Sequence, residues 1–156
     1  MDHLTRYAQA YATRNKSAKT VAQELYNYFI LQAGFPFRIH YNQGKEFENC
    51  LYRELELCGV QHSHTTPYHP QGNVQVERFN RKLSWMLRTL PETQKSRWAE
   101  HLNHVLHAYD CTKHESTGYS PFFLLFGRHP RLPVDLIFGT EDETNHVSYS
   151  QYGEKW

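Results

Sequence analysis

A long amphipathic pattern between residues 74 and 90 constrains the fold more than any other part of the chain. Its apolar members recur every three or four residues, as the inward face of an α-helix requires. They are Val76, Phe79, Leu83, Leu87 and Leu90. Glu77, Arg81, Ser84 and Arg88 fall on a separate stripe of the helical wheel, and Pro91 cannot continue the helix. The pattern therefore predicts one long helix with an apolar face and a polar face.

Shorter patterns on both sides of this helix predict an α/β fold. Residues 37–41 alternate between apolar and polar side chains, which predicts a strand ending at the turn-forming Asn42, Gln43 and Gly44. The other predicted elements are strands over 7–13 and 60–65, helices over 21–30, 47–55 and 98–109, a loop over 66–73, and a short apolar helix or turn over 118–127. Alternating strands and helices followed by further helices indicate an α/β layer structure.

Composition limits the classes of function. The chain has 156 residues, of which 39% are hydrophobic and 15% aromatic, and this suits one globular domain. A formal net charge of +1 gives no global attraction to nucleic acid, so any basic surface must be local. The longest apolar run, residues 122–126, is far too short to cross a membrane. Three cysteines without close pairing predict reduced thiols and an intracellular location, the nucleus included.

The placement of Asn42 and Glu77 suggests a degenerate site for phosphoryl transfer. Two-metal phosphoryl transfer needs clustered carboxylates that hold two divalent cations. A strand end and a helix packed across it can supply such ligands. Asn42 follows the predicted strand, and Glu77 lies in the first turn of the long helix. The first position is an amide, so only the second carries a carboxylate.

Three segments, taken together, resemble the retroviral-type integrase core in its gypsy-type retrotransposon branch. Residues 66–83 (TPYHPQGNVQVERFNRKL) look like its last motif, and residues 39–47 (IHYNQGKEF) are similar to its middle motif at a fitting distance. Residues 117–133 (TGYSPFFLLFGRHPRLP) resemble the segment that closes the core. The resemblance runs from about residue 2 to residue 135. It implies an RNase H-like fold that lacks its first strands and ends in C-terminal helices.

The resemblance also implies a domain plan and a set of metal ligands. Residues 1–135 would form a truncated integrase catalytic core, and 136–156 a polar, disordered tail. The ancestral enzyme would cut and join DNA with Mg2+ or Mn2+ held by three acidic ligands. The third ligand falls on Glu77, the second falls on Asn42, and the first belongs to a strand upstream of Met1. Asp2 is either a substitute for the first ligand or, as the resemblance favours, a turn or strand-end acceptor.

This ligand set leads us to expect no competent metal binding and no catalysis. Two divalent cations bring four positive charges, and an Asn oxygen can coordinate a cation but adds no negative charge. Glu77 would be the one anionic ligand left, inherited but not competent alone. Loss of the upstream strands would also expose apolar edges and weaken folding of the chain by itself. Val74, where the family usually carries glycine, should stiffen the preceding loop.

The long helix is also the predicted DNA contact. In the family this helix meets DNA after the metal ligand, and here it carries three net positive charges. The predicted DNA-binding residues are Arg78, Asn80, Arg81, Lys82 and Arg88 on the helix, with His69 and Gln71 in the loop before it. The alternative is a solvated helix face on which Arg81 only pairs with Glu77. Phosphate contact and solvated face both fit the sequence.

Other groups of polar and aromatic residues are assigned to structure. His101, His104 and His107 fan around a helix and do not form one ligand face. Cys50, Cys58, His62 and His64 have spacings that fit no common zinc pattern. Four aromatic residues that follow the long helix are predicted to lie in the core; they are Trp98, Phe122, Phe123 and Phe126.

Three functions follow from these observations. The first is a DNA-integration enzyme domain that is degenerate or truncated. The second is a domesticated, non-catalytic module that binds DNA or a protein partner, with a homo-oligomer as one form of partner. The third is a relic without selected function. Weak, salt-dependent DNA binding and no membrane association are expected under the first two.

Overall fold

The computed structural model describes residues 1–41, 55–64 and 74–139. Its described helices are Ala18–Glu24, Leu31–Ala33, Val74–Arg88, Glu92–Lys95, Trp98–Cys111, Pro121–Phe126 and Pro133–Phe138, with a π-helical stretch Leu25–Ile30 between the first two. Its described strands are Arg38–Tyr41 and Gln61–His64. By contact the chain divides into a sheet unit, Tyr11–Lys82, and a helical unit that combines Met1–Ala10 with the residues from Leu83 onward.

The sheet unit begins with a capped helix. Ser17 is the N-cap, and its hydroxyl accepts the backbone N–H of Thr20 at 3.2 Å. The helix passes into a π-helical stretch and ends at Gly34, whose φ of +82° lies in the left-handed region that glycine tolerates. Both ends therefore follow from residues with the conformational preferences that the positions need.

Two strands follow, as the alternating pattern at 37–41 and the short pattern at 60–65 predict, and they pair in parallel. Arg38 pairs with Gln61, Ile39 with His62, and the register continues to Tyr41 opposite His64. A buried cluster of Ile30, Leu55 and Val60 joins this sheet to the π-helical stretch, with further packing from Leu25, Phe29, Ile39 and Tyr41. The parallel pair and the helical segment packed on it form the α/β part of the fold.

The helical unit is built around the helix Trp98–Cys111, which we call the Asp110 helix. Its apolar face is buried, through Leu102, Val105, Leu106 and Tyr109. Asp110 is buried on the same helix, at 3% exposure, and its carboxylate accepts the backbone N–H of Ala8 at 3.0 Å. This bond fixes the N-terminal segment of the chain against the helix.

The predicted strand over residues 7–13 is wrong, because the structure assigns no strand to these residues. The alternation of tyrosine and alanine is present in the sequence, but the Ala8 N–H is bound by a side-chain carboxylate instead of a neighbouring strand. A strand needs a ladder of backbone partners. The contact with Asp110 uses the N–H that would otherwise form a backbone hydrogen bond to a neighbouring strand.

The helix Pro121–Phe126 confirms the expected short apolar helix between residues 118 and 127. Ser120 caps its start by accepting the Phe123 N–H at 3.2 Å, and Gly127, at φ +69°, closes it. Phe123 is buried, as predicted. Phe126 is 49% exposed and Trp98 44% exposed, so their assignment to the core is wrong. A helix of six residues packs one face, and Phe126 lies beside Phe122 on the other, with ring centroids 4.6 Å apart.

The helix Pro133–Phe138 runs across the boundary at residue 135 that the sequence predicts between core and tail. Asp135 holds its first turn by accepting the Leu132 N–H at 2.7 Å. Residues 140–156, most of the predicted tail, lie outside the described residues. In the part of the chain that the structure describes, no helix is long and apolar enough to cross a membrane.

Candidate nucleic-acid interface

The helix Val74–Arg88, which we call the Glu77 helix, confirms the amphipathic pattern. Phe79 is buried, and Val76, Leu83 and Leu87 are half-buried, so the predicted apolar stripe faces protein. Thr89 ends the helix, donating its hydroxyl to the Met86 carbonyl at 2.7 Å. The apolar stripe fixes how the helix is rotated and so decides which of its residues meet solvent.

Glu77 lies in the first turn of this helix, and its side chain is exposed. A carboxylate at this place interacts favourably with the positive end of the helix dipole. Among the described residues, Glu77 makes no ion pair with Arg81, although the two are four positions apart. The Glu77–Arg81 pair of the solvated-face alternative is therefore not formed among the described residues, and contact of this face with DNA stays a prediction.

Four exposed cationic residues lie on one side of the Glu77 helix. At about 100° per residue, Arg88, Arg81, Arg78 and Lys82 fall within an arc of about 120°. We call these four residues the basic face. Because all of them lie on one continuous helix, their spacing follows from helix geometry alone. Together with Glu77 the face carries three net positive charges. Asn80 is exposed but lies outside this arc.

Trp85 is a surface residue of this helix that sequence reasoning missed. It follows Arg81 by four positions and precedes Arg88 by three, so it lies within the same arc as the basic face. Its side chain is 65% exposed. The signal was present in the sequence, since Trp85 falls off the apolar stripe of the helical wheel. The basic face therefore presents an exposed aromatic ring together with cationic side chains.

Several predicted site residues lie outside the described residues. These are Asn42, with the adjoining Gln43 and Gly44, and the loop residues His69 and Gln71. The assignments of Asn42 as the degenerate ligand position and of the loop residues as DNA contacts stay predictions. Val74 is described and begins the Glu77 helix.

Asp2 has the turn role that was the favoured alternative. Its carboxylate accepts the Thr5 N–H at 2.7 Å and the Thr5 hydroxyl at 2.6 Å. Partial burial raises the pKa of Asp2, but these hydrogen bonds outweigh it and hold that pKa below its ordinary value. The carboxylate is therefore committed to its own turn.

The described side chains do not form a complete ligand set for a divalent cation. Within the described ranges no group of three or more His, Cys, Asp or Glu side chains could hold a metal ion. Glu77 supplies one carboxylate where the sequence predicts a metal ligand, and one carboxylate does not make a two-cation site by itself. His107 and Cys111 approach each other, with Sγ 3.5 Å from Nε2, but they are two ligands only.

Solved structures with the same fold define the class of protein. The simian T-cell lymphotropic virus intasome in complex with PP2A regulatory subunit B56 gamma contains a chain that matches 85% of this one, with a TM-score of 0.65 at 19% identity, over 48% of its own length. The catalytic core domain of BIV integrase matches 76% of this chain and 77% of its own, with a TM-score of 0.59 at 20% identity. The fold is that of a retroviral integrase catalytic core, an RNase H-like α/β fold, as the sequence predicts.

Sequence relatives narrow this class further. The retrovirus-related Pol polyprotein from transposon 412 of Drosophila melanogaster is 32% identical over 155 residues, which is 94% of this chain. The Pro-Pol polyprotein of simian foamy virus type 3 is 28% identical over 134 residues, or 85% of this chain. The chain spans about 12% of the length of each. No model of a known protein family matches it.

This chain is therefore homologous to part of the retroviral and transposon Pol polyproteins, and its fold is that of their integrase cores. The predicted gypsy-type branch is consistent with the relative from transposon 412. The homology supports a domain related to DNA integration.

Proposed function

We propose that this chain is an integrase-core-derived domain that binds DNA through the basic face of the Glu77 helix and does not catalyse strand transfer. The observation that carries the proposal is the exposure of Arg78, Arg81 and Arg88 on one arc of the helix, with no ion pair to Glu77 among the described residues. Arginines held by a carboxylate would be poorly available to phosphates. In the part of the chain that the structure describes, no carboxylate forms an ion pair with these three arginines.

Electrostatics supports DNA as the ligand over a generic protein surface. The chain as a whole has a formal charge of only +1, so three net positive charges on one helix represent a local concentration. Guanidinium groups bind phosphate oxygens through paired N–H donors, which suits a sugar–phosphate backbone. Contacts of this kind position a protein on DNA without reading its sequence. The proposed binding is therefore weak and largely independent of DNA sequence.

The ligand chemistry supports loss of catalysis. Glu77 is the one carboxylate at the inherited site in the described residues, and the second ligand position of the motif is occupied by Asn42. An amide oxygen leaves the charge of a cation pair largely uncompensated. A place inside the cell, the nucleus included, is part of the proposal because DNA is found there.

Alanine substitution on the basic face tests the proposal. Arg81→Ala should weaken binding of a labelled DNA duplex by roughly 5-fold, since one charge-assisted contact is lost. Arg14→Ala is the matched control, because it removes one exposed positive charge outside the helix. Fluorescence anisotropy measures both affinities, and far-UV circular dichroism checks that both variants are folded.

Equal affinities for Arg81→Ala, Arg14→Ala and the unmodified chain would count against the basic face as the DNA contact. If DNA binding were absent altogether, the domain would be a module for a protein partner or a relic without selected function. A homo-oligomer would then be the first partner to test, by sedimentation of the unmodified chain.

A further inference from the structure

Trp85 gives the basic face a feature that phosphate binding alone does not explain. Its indole is 65% exposed, and three arginines of the basic face lie on the same side of the helix. Along the helix axis it lies about 6 Å from Arg81 and about 4.5 Å from Arg88 at 1.5 Å per residue. A phosphate-binding surface needs cations; a large apolar ring in water among them costs hydration free energy without adding a phosphate contact.

The flat face of an indole suits an unpaired base. Every base has a π-face, and stacking on an aromatic side chain is the usual way in which proteins bind single strands without reading sequence. In a duplex each base is already stacked between its neighbours, so its face is covered. Cationic residues on both sides of Trp85 would hold the phosphates that flank a stacked base. Charge complementarity and the aromatic ring together select a single nucleic-acid strand as occupant.

We propose that Trp85 stacks on an unpaired base, so that the basic face binds single-stranded DNA or a frayed DNA end in preference to duplex. This inference rests on the proposed function, because it assumes that the basic face binds nucleic acid. To the proposed function it adds which form of DNA is bound and which residue selects that form. Arg81 and Arg88 supply the phosphate contacts, and Trp85 supplies the discrimination between one strand and two.

The test compares single-stranded and duplex DNA of equal length and composition. Trp85→Leu should weaken binding of the single strand by roughly 5- to 150-fold, the range expected for loss of one stacked base, and binding of the duplex by less than about 2-fold. Trp85→Phe keeps a smaller ring and should give an intermediate loss. Trp98→Phe is the control, since Trp98 is also an exposed tryptophan but lies on a different helix.

A spectroscopic readout separates stacking from a general effect on the surface. Titration with the single strand should quench tryptophan fluorescence in the unmodified chain and in Trp98→Phe, and the quenching should disappear in Trp85→Leu. Circular dichroism should show all variants folded, because Trp85 is a surface side chain.

Failure of this inference and failure of the proposed function give different results. If Trp85→Leu weakens both forms of DNA equally, or neither, while Arg81→Ala still weakens them, stacking is refuted and phosphate binding stands. If neither form of DNA binds the unmodified chain, the proposed function is refuted and the stacking role with it. Preference for the duplex in the unmodified chain would also overturn the inference.

Discussion

Replacement of Asp110 by asparagine perturbs one buried charge and leaves its hydrogen bond in place. The side chain is 3% exposed, and burial raises its pKa from the ordinary 3.8 to about 7, against the opposing effect of the hydrogen bond from the Ala8 N–H. Asparagine has nearly the same shape and keeps an oxygen that can accept that N–H at the same place. Asp110→Asn therefore removes the ionisation and little else.

The sign of the effect follows from the direction of the pKa change. Because the pKa of Asp110 is higher in the folded chain than in the unfolded chain, the folded chain binds the proton more tightly. The stabilisation by this proton is complete below about pH 4 and is lost as the pH rises to about 7. Above that range the folded chain holds a buried carboxylate whose desolvation is only partly offset by the Ala8 N–H and the charged N-terminus.

The pKa difference gives the magnitude. A rise from 3.8 to about 7, at 1.36 kcal/mol per pKa unit, corresponds to at most about 4 kcal/mol between the two protonation states. Between pH 5 and pH 8 the free energy of unfolding should fall by roughly 2–3 kcal/mol through Asp110 alone. Asp110→Asn should remove this fall and be the more stable protein at pH 8.

Urea denaturation followed by far-UV circular dichroism at pH 5 and pH 8 measures both quantities. The chain has 11 histidines that also titrate, so the useful number is the difference between the unmodified chain and Asp110→Asn at each pH. Glu115→Gln is the control, since it removes an exposed carboxylate. If Asp110→Asn is no more stable at pH 8, or shows the same loss of stability between pH 5 and pH 8 as the unmodified chain, the assigned burial of this carboxyl is wrong.

Two further predictions concern catalysis and packing. The purified chain should show no strand transfer above background with Mg2+ or Mn2+, because the described residues offer one carboxylate at the inherited site; activity that disappears in Glu77→Gln would contradict this. Phe123→Ala should lower the free energy of unfolding by about 3–5 kcal/mol, since the ring is buried between Tyr119 and His129. Leu125→Ala, at an exposed position of the same helix, should cost under about 1 kcal/mol, and an equal loss in both would refute this packing.

The sequence was sufficient to predict the elements that have a long periodic pattern or specific residues at their ends. The apolar residues of the Glu77 helix recur over about four turns, so one rotation of the helix about its axis buries them all. The helical segment that starts with Ala18–Glu24 is capped by Ser17 at its beginning and stopped by Gly34 at its end. The fold class followed from the order of strands and helices together with motifs that resemble a known family.

Sequence reasoning failed where a contact distant in the chain decides the local structure. The alternation over residues 7–13 is typical of a strand, yet a carboxylate 102 positions away binds the Ala8 N–H. Trp98 and Phe126 are large and apolar, but only one face of a short helix can be covered. Asp2 shows the reverse case, since a turn within five residues holds its carboxylate.

The candidate site was predictable in part for the same reasons. The basic face could be derived because all of its residues lie on one regular helix. Trp85 was missed because it lies off the apolar stripe and, being uncharged, adds nothing to the charge of the basic face. Asn42, His69 and Gln71 lie outside the described residues, so their predicted roles rest on the motif.

The salt dependence of DNA affinity in the unmodified chain tests the central claim most directly. If Arg78, Arg81 and Arg88 each contact a phosphate, the logarithm of the association constant should fall with the logarithm of salt concentration at a slope of about −2.7 for duplex DNA. Affinity should then drop roughly 40-fold between 50 and 200 mM salt, and Arg81→Ala should reduce the slope by about 1. A slope near zero, or a slope that Arg81→Ala leaves unchanged, would contradict binding through the basic face.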